Sequence, residues 1–256
     1  MVVTAIGVLP ACGRQVTGLN VPNGGGIAPV GDTIVRFETA GPLDFQNVTY
    51  LVVFNTTGNG QQPYAQGYNT DFKNWSAFFL VGGGSTYANF PALEQVYQNP
   101  ASGASQSFNV QIPTGTVAFQ TTIPTAASQY GFQVTFNNCL LDLPPPTSTN
   151  QPPLNVNRLC PPFLYIATPW NISLFTLDRT NTPIDSLGVN GPSDTSYSFA
   201  IDSAVTAEYN KFKPATNSTT TNASAQITGI DVFTTAPAGA VSAPSPSPSP
   251  VPTPTH

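Results

Sequence analysis

Charged residues are scarce in this chain. They make up 7% of its 256 residues, against about 25% in an ordinary soluble domain. The net charge is −5, and the few cations are scattered from Arg14 to Lys213. No basic patch is therefore present to neutralise phosphates, which argues against nucleic acid and against a lipid-headgroup surface as partners. Polarity comes instead from Ser, Thr, Asn and Gln, as suits a protein outside the cytoplasm.

Histidine is almost absent, since the only one is the last residue, His256. The Ser-His-Asp triad and nearly every His-ligated metal site are therefore excluded. We predict no catalytic residue, no metal and no cofactor. A glycan-active enzyme needs only two carboxylates and stays open as an alternative. However, Glu38, Glu94 and Glu208 are far apart, and no carboxylate stands in a distinctive motif.

Long apolar runs are also missing, and none approaches the roughly 20 residues that a membrane-spanning helix needs. Short apolar segments are separated instead by turns rich in the 27 prolines and 21 glycines. Residues 33–38 alternate with period two, which places Ile34 on the face opposite Val35 and Phe37. We predict an all-β fold: a β-sandwich (Ig-like or jelly-roll-like) of about ten strands with long Pro/Gly-rich loops, over residues 32–236.

The predicted strands are 33–38, 48–55, 75–81, 107–112, 116–122, 131–137, 163–168, 170–177, 196–201 and 226–234. Residues 93–98 are either a short strand or one helical turn.

Leu9-Pro10-Ala11-Cys12 stands near the start of the sequence. It resembles the lipobox of bacterial lipoproteins, an aliphatic residue followed by small or permissive residues and then Cys. The resemblance implies that residues 1–12 are a signal-peptide remnant with the lipid on Cys12. The body would then be exposed outside the cytoplasm of a bacterial cell envelope. Cys12 as an ordinary buried residue is the alternative. A basic n-region is missing, which is consistent with a signal that begins upstream of Met1.

The segments before and after the predicted sandwich have the composition of linkers. Residues 13–31, with Gly24-Gly25-Gly26, predict a flexible tether. Residues 237–256 form a Pro/Ser-rich tail, predicted to be disordered or to serve as a spacer or partner ligand. Within the body, Asp185-Ser186-Leu187-Gly188 and Asp194-Thr195-Ser196-Tyr197 are similar to pieces of uncharacterised bacterial surface lipoproteins. This likeness implies no activity.

The cysteine count agrees with the lipobox. Lipidation of Cys12 leaves Cys139 and Cys160, and an even pair is favoured in an oxidising compartment. We predict a disulfide between them across a proline-rich loop. Two independent buried thiols are the alternative. A zinc site is excluded because there is no C-x-x-C spacing and no nearby His.

The loop that contains Tyr64, Tyr68, Phe72 and Trp75 concentrates aromatic rings among amide side chains. Exposed rings for stacking beside amides for hydrogen bonding are typical of a sugar-binding surface. The alternative is that the rings fold inward over one end of the sandwich. Trp75, nearest the next strand, is expected to be buried, and Tyr64 and Tyr68 are expected to be exposed.

Two other patterns resemble ligand sites, but turns explain them better. Asp178, Asp185, Asp194 and Asp202 could offer oxygens to calcium, yet their spacing is not that of an EF-hand, and Asp favours turns. Gly82-Gly83-Gly84 precedes no helix start, so we predict a hairpin rather than a phosphate-binding loop. Six N-x-S/T sites also occur, which a chain so rich in Asn, Ser and Thr produces by chance. They are Asn47, Asn55, Asn74, Asn171, Asn217 and Asn222.

The leading hypothesis is a lipid-anchored protein of the cell surface with a binding or structural role, whose partner is a glycan or another surface protein. A self-assembling subunit of a filament or surface layer, in which strand edges pair between copies, is a second hypothesis. The glycan-active enzyme is the third.

Overall fold

The computed structural model describes residues 28–29, 31–64, 72–84, 90–99, 101–121, 130–141, 170–187, 199–201, 209–212 and 220–234. Within these ranges the chain forms twelve strands and one short 3-10 turn, Asn138–Leu140. The strands are β1 (Asp32–Thr39), β2 (Thr49–Asn55), β3 (Ala77–Gly82), β4 (Ala92–Gln98), β5 (Ser105–Val110), β6 (Val117–Gln120), β7 (Gly131–Asn137), β8 (Trp170–Leu177), β9 (Pro183–Ser186), β10 (Phe199–Ile201), β11 (Tyr209–Phe212) and β12 (Ile227–Thr234).

The strands form two sheets that pack face to face as a sandwich. Sheet A has the order β11-β12-β1-β7-β6, and sheet B has the order β10-β8-β2-β3-β4-β5, with β9 also paired to β8. Neighbouring strands are antiparallel throughout. The predicted all-β sandwich is therefore confirmed. Strands β5 and β6 follow one another in the chain, and each forms an edge of its sheet.

Successive side chains of β1 alternate between the core that lies between the sheets and the outer face of sheet A. Val35 and Phe37 are fully buried in the core, whereas Ile34 packs on the opposite face against Ala28 and Phe233. This confirms the predicted period. The ring of Phe37 stacks on Phe132 at 5.0 Å between centroids and meets Tyr50 edge-on at 5.6 Å. Such pairs add about 0.5–1.5 kcal/mol each beyond the area that they bury.

Strand β2 is buried on both of its faces. All seven of its residues are buried, with Val52 and Phe54 in the core between the sheets. Leu51 and Val53 belong to a second apolar cluster on the outer face of sheet B. A strand that is apolar on both faces needs a cover on each side, because exposed apolar area costs about 25 cal/mol per Å².

The predicted strand positions agree with the structure for the central strands, whereas two short strands were not predicted. Residues 131–137 and 170–177 match β7 and β8, and residues 92–98 form a strand rather than a helical turn. Strands β9 and β11 were not predicted, because four-residue segments that contain Pro183 or Lys211 carry little apolar alternation. The predicted strand at 163–168 lies outside the described residues.

The Tyr50 hydroxyl forms hydrogen bonds with two loops, the one between β1 and β2 and the one before β12. Its hydroxyl donates to the Ser224 carbonyl at 3.0 Å and accepts the Asp44 backbone N–H at 2.8 Å. Burial raises the pKa of Tyr50 to about 12, because the charged phenolate is disfavoured away from water. The hydroxyl therefore stays protonated in the folded protein at any ordinary pH.

Replacing Tyr50 with Phe should lower the free energy of unfolding by about 1–3 kcal/mol, because two hydrogen-bonding groups lose their partner. The native chain should also lose stability as the pH rises from 10.0 to about 12. Over that range the unfolded tyrosine releases its proton while the folded one retains it. Urea unfolding at neutral and alkaline pH measures both effects.

The Tyr50→Phe variant should lack this part of the alkaline loss, and Tyr64→Phe, at an exposed ring, is the matched control. An alkaline loss of the same size in the native chain and in Tyr50→Phe would contradict the assigned role of the Tyr50 hydroxyl.

Candidate functional site

Two of the predicted sugar-binding aromatics are structural. Phe72 and Trp75 are 2% and 4% exposed and pack on the outer face of sheet B with Leu51 and Val53. The Trp75 ring lies parallel to Phe175, 5.7 Å away and at an interplanar angle of 5°. The expected burial of Trp75 is confirmed. Phe72 is also buried, which contradicts its assignment to an exposed sugar-binding surface.

The reason for this burial is the apolar outer face of sheet B. The ring of Phe72 stacks on Phe78 at 5.8 Å, and the ring of Trp75 meets Phe78 edge-on at 5.2 Å. The loop thus supplies the second cover that β2 needs. Gln98 strengthens the contact, since its side-chain amide donates to the Phe72 carbonyl at 3.3 Å.

Tyr64 is the predicted aromatic that does face solvent, with 38% of its surface exposed. Its carbonyl accepts the indole N–H of Trp75 at 2.6 Å, and its backbone N–H donates to the Lys73 carbonyl at 3.2 Å. The Lys73 ammonium lies 4.9 Å from the centre of the Tyr64 ring. One face of that ring is thus engaged by a cation. Tyr68 lies outside the described residues.

The two glutamates that the structure describes, Glu38 and Glu94, are not brought together. Glu38 follows Phe37 on β1 and faces away from the core of sheet A. Glu94 is paired with Phe78 on the outer face of sheet B. The two side chains are thus on opposite faces of the sandwich, while Glu208 lies outside the described residues.

A polar row lies on the outer face of sheet A and is held by its own contacts. Arg36 pairs with Asp231 at 3.8 Å, donates to the Gln133 side chain at 2.9 Å, and lies 4.7 Å above the Phe233 ring. Arg36, Asp231 and Gln133 are 6–7% exposed. Arg36, Asp231 and Gln133 therefore form a network that stabilises sheet A.

The described aspartates of the acidic run serve structural roles. The Asp178 carboxylate accepts the backbone N–H groups of Thr180 and Thr182 at 2.7 and 2.9 Å. A hydrogen bond from the Thr180 side chain is the largest cause that lowers the pKa of Asp178. Asp185 is buried and accepts the Ile227 backbone N–H at 2.8 Å. The predicted turn-capping role is confirmed for Asp178.

Asp194 and Asp202 lie outside the described residues. No group of three or more His, Cys, Asp or Glu side chains that could hold a metal ion occurs in the part of the chain that the structure describes.

The three consecutive glycines lie against the loop between β1 and β2. The N–H groups of Gly83 and Gly84 donate to the Val48 and Phe45 carbonyls at 3.0 and 2.8 Å. Gly82 has a φ of +87°, and a Cβ there would lie 2.5 Å from the Val48 carbonyl oxygen. Because these donors are already used, the glycines do not present them to a phosphate.

Several of the N-x-S/T sites are occupied by internal contacts. Asn55 and Asn171 are paired in the β2–β8 register and are 1% and 7% exposed. The Asn74 side-chain amide donates to the Gln62 carbonyl at 3.0 Å. Asn47 and Asn222 are exposed and lie in turns, and Asn217 lies outside the described residues. Buried amides are poor acceptors for a bulky glycan.

Cys139 lies in the 3-10 turn at the end of β7. It is 4% exposed, and its backbone N–H donates to the Asn137 side chain at 3.1 Å. The other two cysteines, Cys12 and Cys160, both lie outside the described residues, so pairing with Cys160 stays a prediction.

Edge strands β5 and β6 contain no charged residue. No Asp, Glu, Lys, Arg or His occurs between Glu94 and Asp142, a segment that includes β5, β6 and β7. Edge strands in natural proteins are usually protected by charged side chains, prolines or bulges. This pattern was not singled out from the sequence, because the position of an edge strand follows only from the sheet order.

Comparison with family models, with curated proteins and with solved structures gives no match. A functional assignment therefore depends on the chemistry of this chain. Over the described ranges there is no helix with the length and hydropathy that a membrane crossing requires.

The packing of the aromatic loop predicts a large loss of stability for one aromatic substitution and a small change for another. Trp75→Ala should lower the free energy of unfolding by about 3–5 kcal/mol, because it removes a ring buried among Phe72, Phe78 and Phe175. Tyr64→Ala should change it by less than about 1 kcal/mol, because its ring is exposed and its hydrogen bonds use the backbone. Urea unfolding of the two variants measures the difference, and equal losses would contradict the packing.

The cysteine pairing predicts the result of thiol labelling. A chain that carries Cys12→Ser and is exported to an oxidising compartment should show no reactive thiol under denaturing, non-reducing conditions. Adding Cys139→Ser should release one thiol, at Cys160. Reduction should lower the free energy of unfolding by about 3 kcal/mol in the chain-entropy model. Two reactive thiols before reduction would overturn the predicted pairing.

Proposed function

We propose that this protein is a lipid-anchored component of a bacterial cell envelope, attached through Cys12, whose β-sandwich has a binding or structural role. The observation that carries the proposal is the lipobox-like sequence Leu9-Pro10-Ala11-Cys12. The glycine- and proline-containing segment 13–31 follows it and leads into β1, which begins at Asp32. An anchor, a tether and a folded body thus follow in the order that surface presentation requires.

The composition of the body supports a location outside the cytoplasm, because the chain is poor in charge and rich in uncharged polar residues. This property does not depend on the lipobox and supports it independently. The predicted disulfide between Cys139 and Cys160 fits the same location, since structural disulfides persist mainly in oxidising compartments.

A binding or structural role fits the chemistry better than catalysis. Glu38 and Glu94 are on opposite faces of the sandwich, and Asp185 and Asp231 are engaged in internal contacts. A glycan site is the second candidate, supported by the exposed Tyr64 ring. It would rest on Tyr64 and Tyr68 with nearby amides such as Gln61. The stable Tyr64→Ala variant would then lose glycan affinity without losing its fold.

The anchor is tested by producing the chain with its N-terminal region in a bacterium and analysing the envelope protein by mass spectrometry. We expect a mature N-terminus at Cys12 with an added lipid mass, and release of Cys12→Ala from the membrane fraction. Thr17→Ala, in the tether, is the matched control and should stay bound. An intact chain that retains Met1 and an unmodified Cys12 would refute the proposal.

A further inference from the structure

We infer that the outer edge of β5 is a self-association site, at which Ser105–Val110 pairs antiparallel with the same strand of a second copy. The inference deepens the proposed binding or structural role by naming a partner. It does not depend on the lipid. Strand β5 is the edge strand of sheet B, and its neighbour in the sheet is β4.

Strand β5 has the features of an edge that accepts another strand. Its sequence, Ser-Gln-Ser-Phe-Asn-Val, contains no charge and no proline. Its register with β4 runs from Leu93↔Val110 to Gln98↔Ser105 without a shift. Of the other edge strands, β11 pairs irregularly with β12, and β6 and β10 span only four and three residues. A regular, uncharged edge leaves its backbone N–H and C=O groups ready for a further ladder.

The exposure of β5 agrees with an open edge. Gln106 and Asn109 are exposed, and Phe108 is half-buried. Among the described residues, no strand other than β4 pairs with β5. The neighbouring edge strand β6 spans only four residues, and such shortness discourages pairing. The site is therefore assigned to β5 rather than to β6.

A second copy is the occupant that these properties favour. The partner must offer an extended, uncharged strand whose outward backbone N–H and C=O groups match those of β5, and β5 itself meets this requirement. The Pro-Ser repeat of the C-terminal tail is disfavoured, because proline fixes φ near −65°, the polyproline II value, rather than the value of an antiparallel strand. Antiparallel pairing about a two-fold axis uses the same surface on both copies, as closed dimers do.

The contact is small, so the dimer should be weak and reversible. Stable interfaces usually bury about 1,200 Å² or more, which one pair of six-residue strands does not reach alone. Tethering both copies to one membrane would raise their effective concentration and favour the pairing.

The test uses charged substitutions at the two exposed positions of β5. The full chain carries Cys12→Ser, so that no lipid drives association, and sedimentation velocity follows its mass over a range of concentrations. We expect a monomer–dimer equilibrium. Gln106→Lys together with Asn109→Lys should weaken it at least about tenfold, because each substitution brings like charges of the two copies close together on its own face of the joined sheet. Thr221→Lys, an exposed substitution in the loop before β12, is the matched control and should leave the equilibrium unchanged.

A mixing experiment makes the test independent of the exact register. Gln106→Glu together with Asn109→Glu should also be monomeric alone. A mixture of the lysine and glutamate variants should restore dimers, because opposite charges then meet. A native chain that stays monomeric at every concentration would overturn the inference, as would a dimer unaffected by these variants. The lipid anchor would be unaffected by either result, because Cys12 is absent from every chain tested.

Discussion

The double burial of β2 is the constraint on which the rest of the fold depends. All of its residues are buried, with Val52 and Phe54 facing sheet A and Leu51 and Val53 facing outward. A sandwich normally leaves the outer face of each sheet to water, with polar side chains alternating outward. Here the outer face of sheet B is apolar and needs its own cover. Phe72 and Trp75 provide it from the loop between β2 and β3.

This constraint decides what the aromatic loop can do. A cluster of rings among amides looks like a carbohydrate site from composition alone, but the same rings are also suited to close an apolar face. The indole N–H of Trp75 binds the Tyr64 carbonyl, so the buried ring also fixes where the exposed ring lies. Phe72 and Trp75 therefore stabilise the fold, and among the described aromatic residues of the loop only Tyr64 is exposed to a partner.

The sequence predicted the parts of the fold that depend on local pattern. Alternation in β1 identified the core residues Val35 and Phe37, and the apolar segment 48–55 identified a central strand. That segment is apolar at both parities, which is itself a signal of burial on two faces. Which segment supplies the second cover could not be predicted, because it depends on contacts between distant residues such as Trp75 and Phe175. The uncharged edge strand β5 likewise could not be predicted, because its position at an edge follows only from the order of the strands in the sheet.

The Trp75 ring packs against the outer face of sheet B, and its indole N–H donates to the Tyr64 carbonyl within the loop. Hydrogen exchange of the Trp75 indole N–H, followed by NMR and assigned by its loss in Trp75→Phe, tests this packing directly. We expect slow exchange that accelerates only as the protein unfolds, because the donor is buried and hydrogen-bonded. Exchange as fast as that of free tryptophan under native conditions would contradict it.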